Sequence, residues 1–213
     1  MTALVVRADG TVAARGYQEF RQYYPHPGWV EHLPEDIWQA TLAASRQALD
    51  QATVKVSVGE DPEPVTALGI TNQRETAVVW DPATLAAPRR AIVWQDRRTA
   101  RICAELREEG HELRVNELTG LRLDPYFTGT KLTWLAINEP AIHAGLADGS
   151  LVAGTVDSYL IARLTGGQIT SPTPRTRPAP CCSTSTPDGG HPSCASCSGC
   201  RSGRCRRWCP PPG

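Results

Sequence analysis

Gly69-Ile70-Thr71-Asn72-Gln73-Arg74-Glu75-Thr76 is the stretch on which the reading of this chain turns, and Ala91-Ile92-Val93-Trp94-Gln95-Asp96-Arg97-Arg98-Thr99 is its echo. Val65 to Ile70 is a largely apolar run, short enough to predict a buried strand. A polar break follows, and Ala77-Val78-Val79-Trp80 is apolar again. Strand, polar break, strand is how an α/β sheet offers side chains at a strand end, where ligands collect. Arg74 next to Glu75 is the informative pair. A guanidinium is a rigid fork of donors and a carboxylate only accepts, so the two can grip neighbouring hydroxyls of a polyol. The plainer alternative for such a dipeptide is a surface salt bridge at a turn.

Working outward, βα alternation predicts an α/β domain. Leu4-Val5-Val6 leads through Asp9-Gly10 to Thr11-Val12-Ala13, a hairpin pattern. Tyr17 to Tyr24 continues extended, and Pro25, Pro27 and Gly28 mark a loop. Pro34 with Glu35 and Asp36 opens a helix, with Ile37, Trp38, Leu42 and Leu49 as its apolar stripe. Residues 59–64 form a linker. Ala91 to Trp94 is a strand, and Arg97 to Glu108 a helix with Ile102 and Leu106 inward and Cys103 as a small buried residue. Gly120 to Thr130 is expected as a loop. Leu132, Leu135 and Ile137 mark a helix closing near Asn138-Glu139-Pro140, and Val152 to Leu164 holds a turn and a short helix.

The quoted words resemble the glycerol-kinase branch of the FGGY carbohydrate kinase family. Three further stretches carry the resemblance: Tyr24-Pro25-His26-Pro27-Gly28-Trp29-Val30-Glu31-His32, Leu123 to Lys131 (L-D-P-Y-F-T-G-T-K), and Gly154-Thr155-Val156-Asp157. It covers roughly residues 1 to 170 in order. It implies a ribonuclease-H-like (actin-like ATPase) fold of two domains, with ATP, Mg²⁺ and glycerol meeting in the cleft between them. It implies Arg74, Glu75 and Tyr126 as glycerol-hydroxyl contacts and Trp94 as an aromatic wall against the carbon chain. A site built to bond hydroxyls also rejects analogues that lack them, because its own polar groups would be left unpaired. Beside that reading, Trp94 and Tyr126 can be core aromatics. Asp96 with Arg97 is expected as a structural ion pair, and Lys131 as solvent-facing.

The family's phosphate- and metal-binding hairpin lies ahead of the stretch matching Ala3-Leu4-Val5-Val6, and its proton-accepting Asp lies in a G-D-Q-Q-like word absent here. Residues 1–170 are therefore expected to be an incomplete FGGY N-terminal domain with no catalytic, cofactor-binding or metal-binding residue of its own. Such a domain should show no turnover alone and should expose unpaired strand edges. Family members are often homo-oligomeric. Zero formal net charge gives no general pull towards nucleic acid. No run approaches the ~20 apolar residues of a membrane helix, and Met1 to Arg7 is not a signal peptide. A cytoplasmic location is expected.

Residues 171–213 are of another kind. They hold seven of the eight cysteines, one acidic residue (Asp188), and no Leu, Ile, Val, Met, Phe or Tyr. Such a stretch cannot bury enough apolar area to offset chain entropy, so a disordered tail is expected. Cys194, Cys197 and Cys200, with Cys205 and Cys209, have zinc-like spacing. Arg201, Arg204, Arg206 and Arg207 with Trp208 could form a basic nucleic-acid-binding arm. The third reading is a frame-shifted gene. Shifting the frame by one nucleotide lets Pro172 to Pro180 read T-D-A-S-N-A-S-R-T, a family word at this point. Gly199-Cys200-Arg201 then permits G-V-P and Cys205 to Trp208 permits L-P-E-V, in the family's order. The out-of-frame reading is preferred over a metal- or nucleic-acid-binding tail.

Overall fold

A computed structural model describes residues 1–54 and 64–169. The expected linker at 59–64, apart from Pro64, and the expectations for 171–213, disorder, zinc and basic arm alike, lie outside the described residues. The chain divides into two compact units: Met1–Tyr23 with His32–Thr71, and Tyr24–Glu31 with the residues from Asn72 onward.

In the first unit, β1 (Thr2–Val6) and β2 (Val12–Tyr17) form the expected antiparallel hairpin, with Thr2 opposite Tyr17 and an irregularity between Val5 and Val6. Asp9 closes the turn by accepting from the backbone N–H and the hydroxyl of Thr11. Gly10 there has φ 84°, a left-handed conformation that costs glycine little. After β3 (Gln22–Tyr23), α1 (Pro34–Val54) starts on Pro34 with Glu35 and Asp36 in its first turn, where the dipole favours acids.

The face of α1 that enters the core is not the expected one. Ile37 is buried, but Ala40, Ala44 and Ala48 complete the stripe, and Leu49 is 44% exposed. The reason is backbone proximity. A Cβ on Gly16 would lie 1.9 Å from the Ala44 carbonyl oxygen, so helix and strand touch main chain to main chain and only alanines fit.

The predicted buried strand over Val65–Ile70 does not form. The segment has no regular structure, with Val65 64% and Leu68 70% exposed. An apolar run shows that a segment can be buried, but a strand also needs a neighbour for its backbone hydrogen bonds.

The second unit contains Tyr24–Glu31, whose last residue begins β4 (Glu31–His32). β5 (Val78–Trp80) pairs antiparallel with β7 (Val152–Gly154). Just before β5, Ala77 exchanges two backbone hydrogen bonds with Ile92 of β6 (Ala91–Ile92), at 2.9 and 3.0 Å. Both strands are buried throughout, as their apolar runs predict. Five helices complete the unit: α2 (Ala100–Glu108), α3 (His111–Thr119), α4 (Thr128–Asn138), α5 (Pro140–Asp148) and α6 (Val156–Leu164). Val79, Ile92 and Leu135 are its apolar centre, with Leu132, Trp134, Ile142, Leu146 and Leu151 packed around them.

Several boundaries differ from expectation. β6 stops at Ile92, short of Trp94. α2 starts at Ala100 rather than Arg97, because Asp96 and Arg97 instead donate backbone N–H bonds to Val93 and Gly28. The expected loop Gly120–Thr130 ends early, since α4 already begins at Thr128. Ile137, expected inward, is 64% exposed. Pro140 opens α5 at the position where a missing N–H costs nothing, besides ending α4. α3 had no expectation. Its residues are none of them buried, so it offers no apolar stripe to read.

Candidate polyol-binding site

All four residues singled out from the sequence lie in the second unit. Arg74 and Glu75 form a turn ahead of β5, Trp94 follows β6, and Tyr126 precedes α4. Glu75 is buried and sits at φ 67°, a left-handed conformation rare outside glycine. Its carboxylate Oε2 accepts from both the backbone N–H and the hydroxyl of Thr128, each at 2.7 Å. Thr128 is the first residue of α4, so the anion lies at the positive end of that helix. Among the described residues Oε1 accepts no hydrogen bond and is left available to a hydroxyl.

Trp94 and Tyr126 meet edge to face, their centroids 6.0 Å apart at 67°, and Tyr126 in turn meets Phe127 at 5.1 Å. Trp94 is 38% exposed, so one part of the indole stays open to a ligand. Its backbone N–H donates to the Thr76 hydroxyl at 3.3 Å, holding it beside the Arg74-Glu75 turn. The Tyr126 backbone N–H donates to Asp124 at 2.8 Å. Its phenol has no hydrogen bond among the described residues. Arg74 is exposed and forms no ion pair among them. Trp94 and Tyr126 are thus in ring contact and Trp94 is tied to Thr76, the neighbour of Glu75, while the Arg74 side chain makes no hydrogen bond, ion pair or ring contact with the other three among the described residues. The salt-bridge alternative for Arg74 and Glu75 does not hold here, because Glu75 turns inward to Thr128.

Three supporting residues were not assigned to the site from the sequence, or were assigned wrongly. Lys131, expected at the surface, is fully buried. Its ammonium donates to the carbonyl oxygens of Glu75 at 2.5 Å and Tyr126 at 2.6 Å. Burial lowers its pKa to about 8 against the pull of the Glu75, Asp96 and Asp124 carboxylates, with Arg98 adding to the lowering. Asp157, 3% exposed, accepts from the Asn72 side-chain amide and the Thr155 hydroxyl, anchoring the start of the Asn72–Thr76 segment. Thr128 is the third. Alternating polarity gives no sign of any of these, and only the words F-T-G-T-K and G-T-V-D pointed to their neighbourhood.

The expected Asp96–Arg97 pair is replaced by Asp96–Arg98. Arg98 donates to both carboxylate oxygens of Asp96, at 2.9 and 2.8 Å, and to Glu31 at 2.8 Å, while its guanidinium lies 3.8 Å from the Trp29 centroid. Its side chain is 1% exposed. Arg97 points outward to Asp124 at 3.5 Å. The Arg98 backbone N–H also donates to Asp96 Oδ1 at 2.8 Å, so the local turn itself sets Asp96 against the arginine two residues on. Cys103 is buried, and burial raises its thiol pKa, consistent with a packing role. Among the described residues no group of three or more His, Cys, Asp or Glu side chains could hold a metal ion, and no helix is long and apolar enough to cross a membrane.

This fold is that of a carbohydrate-kinase N-terminal domain. The family described as the FGGY family of carbohydrate kinases, N-terminal domain, matches residues 1–176, and the chain belongs to it. It is 53% identical over 167 residues to a glycerol kinase of Nitrobacter hamburgensis, covering 78% of this chain and 32% of that one. It is 54% identical over the same length to a glycerol kinase of Rhodopseudomonas palustris, with the same coverage. Among solved structures it resembles the Plasmodium falciparum glycerol kinase with ADP, at TM-score 0.73 and 27% identity, over 79% of this chain and 32% of that one. The fold is accordingly the ribonuclease-H-like one of these kinases. The chain spans about a third of the length of the curated relatives it matches.

Proposed function

We propose that this chain carries the polyol-binding part of an ATP-dependent glycerol kinase, which converts glycerol and ATP to glycerol 3-phosphate and ADP in the cytoplasm. The observation that carries the reading is the Glu75 carboxylate, held through Oε2 by Thr128 with Oε1 unengaged, beside the exposed Arg74 and the Trp94–Tyr126 pair. Arg74 donates to glycerol hydroxyls, Glu75 accepts from them, Tyr126 can do either, and Trp94 covers the carbon chain. Kinship with glycerol kinases at about half identity supports glycerol over a larger sugar. ATP and Mg²⁺ belong to the intact reaction. No residue of this chain is assigned to either group.

The test is glycerol binding to the purified 213-residue chain, followed through the Trp94 indole N–H resonance. Saturable binding by glycerol, stronger than by xylulose or propane-1,2-diol and weakened about tenfold or more in R74A, supports the reading; equal binding of all three overturns it. The same reading assigns residues 1–170 to the kinase and 171–213 to an out-of-frame tail. Sequencing the DNA around codons 165–175 checks that division.

A further inference from the structure

Lys131 sits where a cation is poorly served. It is fully buried, lies in the first turns of α4 where the helix dipole repels positive charge, and has no carboxylate within ion-pair distance among the described residues. What it does have is two main-chain carbonyls from residues far apart in sequence, Glu75 and Tyr126. One ammonium bonded to both holds those two oxygens within about 5 Å of each other. Hydrogen bonds from an ionised donor are about twice as strong as neutral ones. A neutral donor could satisfy either carbonyl alone, but a compact charged group reaching both fixes one backbone against the other. Glu75 in particular needs such fixing, since a non-glycine residue at φ 67° persists only when its surroundings over-determine it.

We infer that Lys131 is a positioning residue of the polyol site: its ammonium ties the Glu75 and Tyr126 backbones together, so that Glu75 Oε1 and the Tyr126 hydroxyl are presented as a fixed pair. The inference rests on the polyol reading for its purpose, though the tie itself does not. The charged groups facing the ammonium are Glu75 on the turn, Asp96 and Arg98 after β6, and Asp124 ahead of α4. Their balance against burial puts its proton loss at about 8. The neutral amine keeps two N–H donors but loses the charge assistance. The tie therefore loosens as pH rises through that value, and glycerol affinity falls with it.

The experiment is carbon-detected NMR of the ¹³C,¹⁵N-labelled chain from pH 6.5 to 9.5, wild type and K131M, with and without glycerol. The Glu75 and Tyr126 carbonyl resonances should titrate together near pH 8 in the wild type and stay flat in K131M. Glycerol affinity should fall about tenfold in K131M, a loss of 1.4 kcal/mol, and lose its dependence on pH. Separate midpoints for the two carbonyls, or the same titration persisting in K131M, overturn the inference. So does unchanged, equally pH-dependent glycerol binding in K131M. The wild-type titration decides the matter even if K131M fails to fold. Carbonyls that titrate together with no response to glycerol leave the tie standing and overturn the polyol reading instead.

Discussion

The carboxylate of Glu75 takes both hydrogen bonds that Thr128 can donate, N–H and O–H, at 2.7 Å each, across the gap between a strand-leading turn and the first residue of a helix. This contact orients the acid and leaves its second oxygen free. It also caps α4, whose preceding residue, Phe127, has no side chain able to do so. In T128V, which keeps the shape and removes the hydroxyl donor, a buried carboxylate loses one of two partners. The expected cost is about 1–3 kcal/mol of stability, with weaker glycerol binding, read by urea denaturation and by titration with glycerol.

R74A should separate binding from folding. The guanidinium is exposed and has no ion pair among the described residues, so its removal changes stability by no more than about 0.5 kcal/mol. Glycerol affinity should drop by about tenfold or more, as for loss of a charged hydrogen bond to the ligand. A large stability loss with unaltered binding would count against the assigned role.

The buried ammonium makes stability depend on pH in a stated direction. Lys131 in the folded chain loses its proton at about 8, below the ordinary 10.5, so the unfolded chain binds that proton more tightly. Stability from this group is fully present above 10.5 and is lost as pH falls through 8. Relative to K131M, the wild type should gain about 2 kcal/mol between pH 7.5 and 9.5, measured by urea denaturation at both values. Over the same interval its glycerol affinity is expected to fall. Opposite trends in the two measurements mark a positioning role; a constant difference from K131M argues against it.

G16A tests the alanine face of α1. The added Cβ would stand 1.9 Å from the Ala44 carbonyl and 2.9 Å from the Ala48 nitrogen, both main-chain atoms that cannot step aside. The helix must shift, at a cost of about 1–3 kcal/mol as for other overpacked cores. A thermal midpoint unchanged from wild type would show that the helix and strand are less closely held.

Much of the architecture was legible in order along the chain. Asp9-Gly10 marked the hairpin, Pro34-Glu35-Asp36 marked the start of α1, and the buried runs Val78–Trp80 and Ala91–Ile92 marked two strands. These are local preferences, set within a few residues. Val65–Ile70 failed because composition cannot tell whether a neighbouring strand is present. The α1 stripe failed because it counted side-chain bulk, where the close approach at Gly16 admits only alanines.

The site divides along the same line. Arg74 and Glu75 stood out by residue type, a fork of donors beside an acceptor, whereas Trp94 and Tyr126 were singled out only through the resemblance to the kinase family's words. Which way each one turns was decided by tertiary structure. Glu75 faces the α4 terminus and not Arg74, Asp96 takes Arg98 and not Arg97, and Lys131 leaves the surface to join two carbonyls. Residue chemistry is carried by the chain in one dimension, whereas the partner of a buried charge depends on which distant backbone closes over it.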